Sequence, residues 1–372
     1  MLKNKRSLKF KSLVFMLVVV MSMSVIGCSK DSQTTGTPEV KENNEVGEKE
    51  SSDTVEKENS AIIEAEKMLL EALAPLPDKN TGVKIAAIES TLANSFWITM
   101  QEGYEDAAKE YGVTIDVQAT ETETDIEGQL EIMRVLLSKD YDAIAISPLT
   151  EQNLIPGIVE ANEMGVKVVA VGNGVNEEAL AEANGKIEAF ITSDFKYQGT
   201  LGAQYIIEKT GGKGKVAVIE GIPGATQSEA RKNGAVEAFK EAGMEVLPVQ
   251  TANFDRQQAY DVTTAIIEAN PDIVGITCGN DIMALGAVEA LKAKNMKDKV
   301  MVVGVDFIEE AKVSIENGEL DATVAMSPYL FGKAGLITAL KAIRGDEFKE
   351  SVVWTPIQLV NKDNVTSMEG WR

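Results

Sequence analysis

The chain has 372 residues, 58 acidic against 36 basic, a formal net charge of −22 and no histidine. Such an acidic balance offers no basic surface for nucleic acid. Without histidine, Ser-His-Asp and Cys-His nucleophilic chemistry in their usual forms and His-ligated metal sites are excluded; catalysis by carboxylates alone stays open, but for a chain of this length the absence weighs against an enzyme.

In chain order, Lys3, Lys5, Arg6, Lys9 and Lys11 precede an apolar run from Leu13 to Ile26 that ends in Gly27-Cys28. Fourteen or so apolar residues are short for a membrane span and suit the h-region of a signal peptide. Val25-Ile26-Gly27-Cys28 resembles a bacterial lipobox, which predicts a lipidated Cys28 anchoring the protein on the outer side of the membrane. Cys278 is the one other cysteine, so no intrachain disulfide is expected. Residues 29–60 are rich in Glu, Lys, Ser, Thr and Asn and read as a flexible acidic tether. Residues 61–73 (AIIEAEKMLLEAL) carry helical spacing stopped by Pro75 and Pro77, giving a short helix and a Pro-containing linker over 61–80.

From Val83 onward apolar runs alternate with helical patterns: VKIAAI, VTIDVQA (113–119), AIAIS (143–147), VKVVAVG (166–172), KVAVIEG (215–221), EVLPVQ (245–250), DIVGITC (272–278) and VMVVGVD (300–306). Continuous apolar strands separated by helices of ten to fifteen residues specify parallel sheets covered on both faces. The alternation occurs twice, over about 83–172 and about 215–306, and nearly 290 residues exceed one comfortable core. The fold class is therefore α/β, with two doubly wound parallel-sheet lobes joined by a hinge that the chain crosses more than once, at GKIEAFITSDF (185–195) and near ATVAM (322–326).

Ligands of open parallel sheets sit outside the carboxyl ends of the strands. Ser90, Asn94, Phe96 and Trp97 follow the first strand and Gly172 and Asn173 the fourth. Arg231 lies in the helix after KVAVIEG, Phe254 follows EVLPVQ, Asn280 and Asp281 follow DIVGITC, and Asp306 ends VMVVGVD. Singly each has a plainer reading. Asn94 is as good a helix cap as a ligand group, Phe96 and Trp97 fit a core, Asp306 fits a cap and Arg231 a surface ion pair. Jointly they combine planar hydrogen-bonding forks with flat rings, which match vicinal hydroxyls and the C–H faces of a sugar. GGKGK (211–215) precedes a strand and reads as a turn, not a phosphate cradle. Cys278 reads as a buried thiol, and no metal-ligand spacing or cofactor motif is present.

STLANSFW, ANFDRQQAYDV, GNDIMALGAVEAL and VMVVGVD, supported by EAFITSDF, SEARKNGAVEAFKEAG and LDATVAMSP, resemble the sugar-binding lipoproteins and periplasmic proteins of ATP-binding-cassette importers, and within them ribose- and especially allose-binding proteins. The resemblance covers Val83 to about Val360. It implies a type I periplasmic-binding-protein fold, with a first lobe of 81–193 plus 327–356 and a second of 194–326 plus 357–372. It further implies a monomer closing on one sugar or polyol and handing it to a permease. Carried over by position, the ligand set is Ser90, Asn94, Phe96, Trp97, Asn173, Arg231, Phe254, Asn280 and Asp306. Gly172 and Asn173 stand where these relatives carry an acidic and then a charged residue, and Met326 where the ribose pattern has Gln. The departures turn the expected ligand from ribose or allose toward a deoxy sugar, a polyol or another small polyhydroxylated compound. A sensory subunit signalling to a membrane kinase or chemoreceptor is the alternative. A sugar-responsive transcription regulator would need a basic helix-turn-helix in place of the acidic tether.

Overall fold

The computed structural model describes residues 60–79, 82–348, 350–368 and 370–372. The expected signal peptide, Cys28 and the tether lie outside the described residues. The described chain opens with helix α1 (Ser60–Ala72) and continues as β1 (Lys84–Thr91), α2 (Ser95–Tyr111), β2 (Thr114–Thr120), α3 (Ile126–Leu137), β3 (Ala143–Ile146), α4 (Ile155–Glu163), β4 (Lys167–Val171), a short α5 (Glu177–Glu182) and β5 (Phe190–Thr192). There follow α6 (Phe195–Thr210), β6 (Lys215–Glu220), α7 (Thr226–Glu241), β7 (Glu245–Val246), β8 (Gln250–Thr251), α8 (Arg256–Ala269), β9 (Ile273–Cys278), α9 (Asp281–Ala293) and β10 (Met301–Asp306). The last elements are α10 (Glu309–Glu316), β11 (Ala322–Ala325), α11 (Pro328–Arg344), β12 (Val352–Trp354) and β13 (Gln358–Asn361), followed by a 3-10 turn at Val365–Met368.

The strands form two sheets, ordered β12-β5-β4-β3-β1-β2 and β13-β11-β10-β9-β6-β7, with β8 beside β6. Every pairing is parallel except β11 with β13. The first sheet thus takes strands from 84–192 and from 352–354, the second from 215–325 and from 358–361. The chain passes between them three times, at 193–194, 326–327 and 355–357. Ser193 and Thr355, on the first and third passages, join their hydroxyls at 2.6 Å.

The apolar alternation has a direct physical outcome. β1 is buried from Ile85 to Thr91, with Ala87 facing the α2–α11 side and Ile88 the α3–α4 side. β6 is likewise sandwiched, Val218 facing α6 and α7 and Ile219 facing α8 and α9. One expectation fails in detail. The run 245–250 is not one strand but two two-residue pieces around Pro248, whose missing N–H cannot join a ladder.

Helix ends follow their local chemistry. Asn94 caps α2, which ends on the left-handed Gly112. Ser327 caps α11 with Pro328 in its first turn. Bare backbone lets helices cross closely. A Cβ on Gly199 would stand 1.9 Å from the Arg231 carbonyl oxygen, so glycine draws α6 against α7 and fixes where Arg231 emerges.

Helix α1 packs as part of this body. Ala65, Leu69 and Leu73 are buried in the first lobe's core, and Lys333 of α11 pairs with Glu66 at 2.8 Å and Glu110 at 2.9 Å. Lys341 donates to the carbonyls of Leu73 and Pro75. Ala61, at the other end, packs against the second lobe's core, to which Met368 belongs.

Candidate functional site: a cavity between the lobes

The carboxyl edges of both sheets face one cavity, partly open to solvent, with about 390 Å³ of empty space. From the first lobe it is lined by Asn94, Phe96, Trp97, Glu123, Gly172, Asn173 and Phe331. From the second come Phe195, Gln227, Arg231, Phe254, Asn280 and Asp306, with Met326 at the second passage. At the mouth, Thr226 of one lobe lies 3.3 Å from the Glu151 carboxylate of the other, within hydrogen-bonding reach.

Eight of the nine expected ligand residues therefore meet here. Ser90 does not. It points into the interior, where its hydroxyl has no hydrogen-bond partner and its carbonyl accepts from Thr120. Position 90 lies inside β1, one residue before the strand ends, at a register shift that leaves it without a partner residue on β2.

The first-lobe wall is built at the turn into α2. Phe96 and Trp97 meet edge to face at 5.1 Å, and Phe96 leans on Phe331 at 6.4 Å. They are core and cavity lining at once, both almost buried. Asn94 does the work of a cap: its oxygen accepts from the Phe96 N–H at 3.0 Å, and its nitrogen faces Glu123 at 3.4 Å. The same Glu123 oxygen accepts from Trp97 Nε1 at 3.1 Å. The Glu123 carboxylate is thereby aimed by a cap and a ring, with its second oxygen turned to neither. Burial raises its pKa, opposed by the hydrogen bonds from Trp97 and Asn94 and by the charge of Arg231.

The second-lobe wall is charged. Arg231 is buried, donating to Gln198 Oε1 at 2.8 Å and the Gly279 carbonyl at 2.8 Å, and lies 3.5 Å from Asp306. Its guanidinium stacks over Phe195 at 5.2 Å. Burial lowers the Arg231 pKa and raises that of Asp306, each shift being opposed by the charge of the other. Asp306 is thus no helix cap, and Arg231 no surface pair. Asn280 gives its oxygen to the Met283 N–H as the cap of α9 and has its amide nitrogen left over for the cavity.

Two of these residues sit on strained backbone. Phe254 has φ 59° and Asp306 φ 118°, in the region that side chains other than glycine rarely occupy. Gly221 makes room for the first, since a Cβ there would stand 2.2 Å from the Phe254 ring. Asn173 holds the Pro148 carbonyl at 3.0 Å through its amide nitrogen.

Sequence reasoning missed Glu123, Gln227, Phe195 and Phe331. Applying the carboxyl-edge rule to the second strand as well would have found Glu123. Gln227 lies one helical turn before Arg231, on the same face of α7. Its amide oxygen is buried without a partner, a group awaiting a donor. Phe195 and Phe331 carry no sequence signal, because the first turns that place them open only after the chain changes lobes.

Beneath the site, Asp281 accepts from Thr323 at 2.6 Å and the Ile308 N–H at 3.1 Å, tying β9, β10 and β11 together. Burial pushes its carboxyl up to about 7. Cys278 is buried and its thiol is pushed up by burial, so it is inert. Among the described residues no group of acidic or sulfur side chains is arranged to hold a metal, and no helix is long and apolar enough to cross a membrane.

A twin-sheet body closing over a ring-and-fork cavity defines a solute-binding protein of the two-lobed kind. Residues 85–347 match the family described as the periplasmic binding protein domain, and the chain belongs to that family. The D-allose-binding periplasmic protein of Escherichia coli (strain K12) is 41% identical over 253 residues, covering 68% of this chain and 81% of that one. A ribose import binding protein of Bacillus subtilis (strain 168) is 31% identical, covering 71% and 82%. The structure of a periplasmic solute binding protein from Actinobacillus succinogenes 130z with bound D-allose superimposes with a TM-score of 0.73 at 33% identity, covering 76% of this chain and 99% of that one. These relatives are sugar-binding transport proteins and not enzymes.

Proposed function

We propose that the chain is an extracellular, lipid-anchored receptor that captures one monosaccharide, or a polyhydroxylated molecule of similar size, and delivers it to an ATP-binding-cassette permease. The observation that carries the reading is the pairing of a ring wall with a buried, pre-aimed polar wall across one cavity between the lobes. A sugar stacks its C–H face on Trp97 and Phe96 and directs its hydroxyl pairs to Glu123, Arg231, Asn280 and Asp306. Asn94 acts through Glu123, which it holds, and Asn173 frames the edge beside Gly172. Closure buries the ligand, and the closed surface is what a permease reads.

The names of the relatives support the sugar class and the importer context. The lipobox pattern at Cys28 supports the anchor. A thermal-shift screen across pentoses, hexoses, deoxy sugars and polyols tests the reading, because a ligand bound only to the folded state raises apparent stability by mass action. A shift for one compact group of these compounds is expected. No shift with any of them, alongside a shift with amino acids or peptides, would overturn it.

A further inference from the structure

The cavity wall nearest the hinge differs from the rest. Gly172, Phe195, Met326 and Phe331 form it, each close to a point where the chain changes lobes. Gly172 has no side chain, and a Cβ built there would meet only Met100 Cε, at 3.7 Å. Met326 stands at the second passage with its sulfur turned to protein: Gln198 Nε2 lies at 3.2 Å and Arg231 Nη2 at 3.8 Å. Gln198, itself fully buried, also turns its oxygen to protein, accepting from Arg231. The polar atoms behind this wall are therefore engaged with one another, and Met326 covers them. What remains for a ligand here is methylene, methyl and ring carbon.

A hydroxyl driven against such a wall loses its water and gains at most a weak thioether acceptor. Elsewhere, beside the rings of Phe96, Trp97 and Phe254, the lining carries Glu123, Gln227, Asn280 and Asp306, all bearing polar atoms not fully taken by the protein. We propose that Met326, with the bare Gly172, selects a ligand whose hinge-facing carbon carries no hydroxyl: a deoxy sugar or a methyl-bearing polyol. The proposal rests on the sugar reading and adds to it the class of sugar and the residue that chooses it.

The test is calorimetric binding by the wild-type chain and Met326→Gln of three matched pairs: D-galactose and D-fucose, D-ribose and 5-deoxy-D-ribose, D-allose and 6-deoxy-D-allose. Apolar pockets turn away an added hydroxyl by about tenfold to a hundredfold. In at least one pair the deoxy sugar should bind the wild type about tenfold or more tighter than its parent. Met326→Gln, which restores a donor and an acceptor at similar length, should shrink that ratio at least about fivefold. Met326→Leu keeps the wall apolar and should keep the preference, which separates wall chemistry from general damage. Parent sugars that bind the wild type as well as or better than every deoxy partner would overturn the proposal. So would a ratio indifferent to Met326→Gln. Binding of neither member of any pair would overturn the sugar reading itself, and this proposal with it.

Discussion

The two lobes equip the same cavity in different ways. The first lobe brings rings, and the one carboxylate it aims, Glu123, is held by a cap residue and by the indole of Trp97. The second brings a buried ion pair, Arg231 with Asp306, set on backbone held at positive φ at Phe254 and Asp306. Rings lose little when a ligand leaves, since Phe96 and Trp97 stay packed in their own core. An ion pair in low dielectric is different: its charges need every partner they can find. The second lobe thus carries the desolvated ion pair of the cavity, and the first faces it with a surface of rings.

The contrast can be broken most forcefully from the charged side. Asp306→Ala is expected to weaken sugar binding by about 100-fold or more, because it removes the carboxylate's charge-assisted bonds to hydroxyls, at ~1.5–3 kcal/mol each. Calorimetry with the best sugar from the screen checks it, and undiminished affinity would refute the charged-wall assignment. Trp97→Ala removes the stacking face and one of the two donors to Glu123, for an expected loss of ~2 kcal/mol, about 30-fold. If the first lobe merely covers the ligand, this loss should show in the dissociation rate more than in the association rate. Glu123→Gln keeps the shape and removes the charge, with a loss of about tenfold expected from the weakened charge-assisted bonds. A loss as large as that of Asp306→Ala would erase the distinction between the lobes.

The smallest effect is on stability and concerns pH. Burial raises the Asp281 carboxyl to about 7, so between about pH 4 and 7 the folded chain holds a proton that the unfolded chain releases. Its contribution to stability is therefore present at low pH and lost as pH rises through 7. Asp281→Asn removes the titration, so the melting temperature of the variant minus that of the wild type should increase between pH 5 and pH 8. A difference independent of pH would contradict a raised Asp281.

Much of this was legible from residue order. Buried parallel strands announce themselves as apolar runs such as VKIAAI, because both faces are covered and no alternation is needed. The same rule that places ligands at strand ends drew eight of the expected residues to one cavity. What stayed hidden depends on which way a side chain leaves the backbone. Ser90 falls at a register shift between β1 and β2 that no residue type announces. Asn94 shows the reverse problem: its residue type fits a cap and a site alike, and the structure makes it the cap that also holds Glu123. Pro248 was visible, yet its effect on the edge strand was overridden by the apolar letters around it. Phe331 belongs to the cavity only because α11 returns to the first sheet after the second passage, a tertiary fact without a local signal.

The hydroxyl bond between Ser193 and Thr355 straps two neighbouring passages of the three together. Three adjacent chains, two of them linked, resist torsion about the long axis far more than bending across it. Bending at this hinge is the opening motion the proposed function calls for, and a sugar seated as proposed touches the hinge directly through Met326. Residence time is then set where the lobes are joined as well as where they meet. A change at that hinge should alter how long the ligand stays even when every jaw contact is kept.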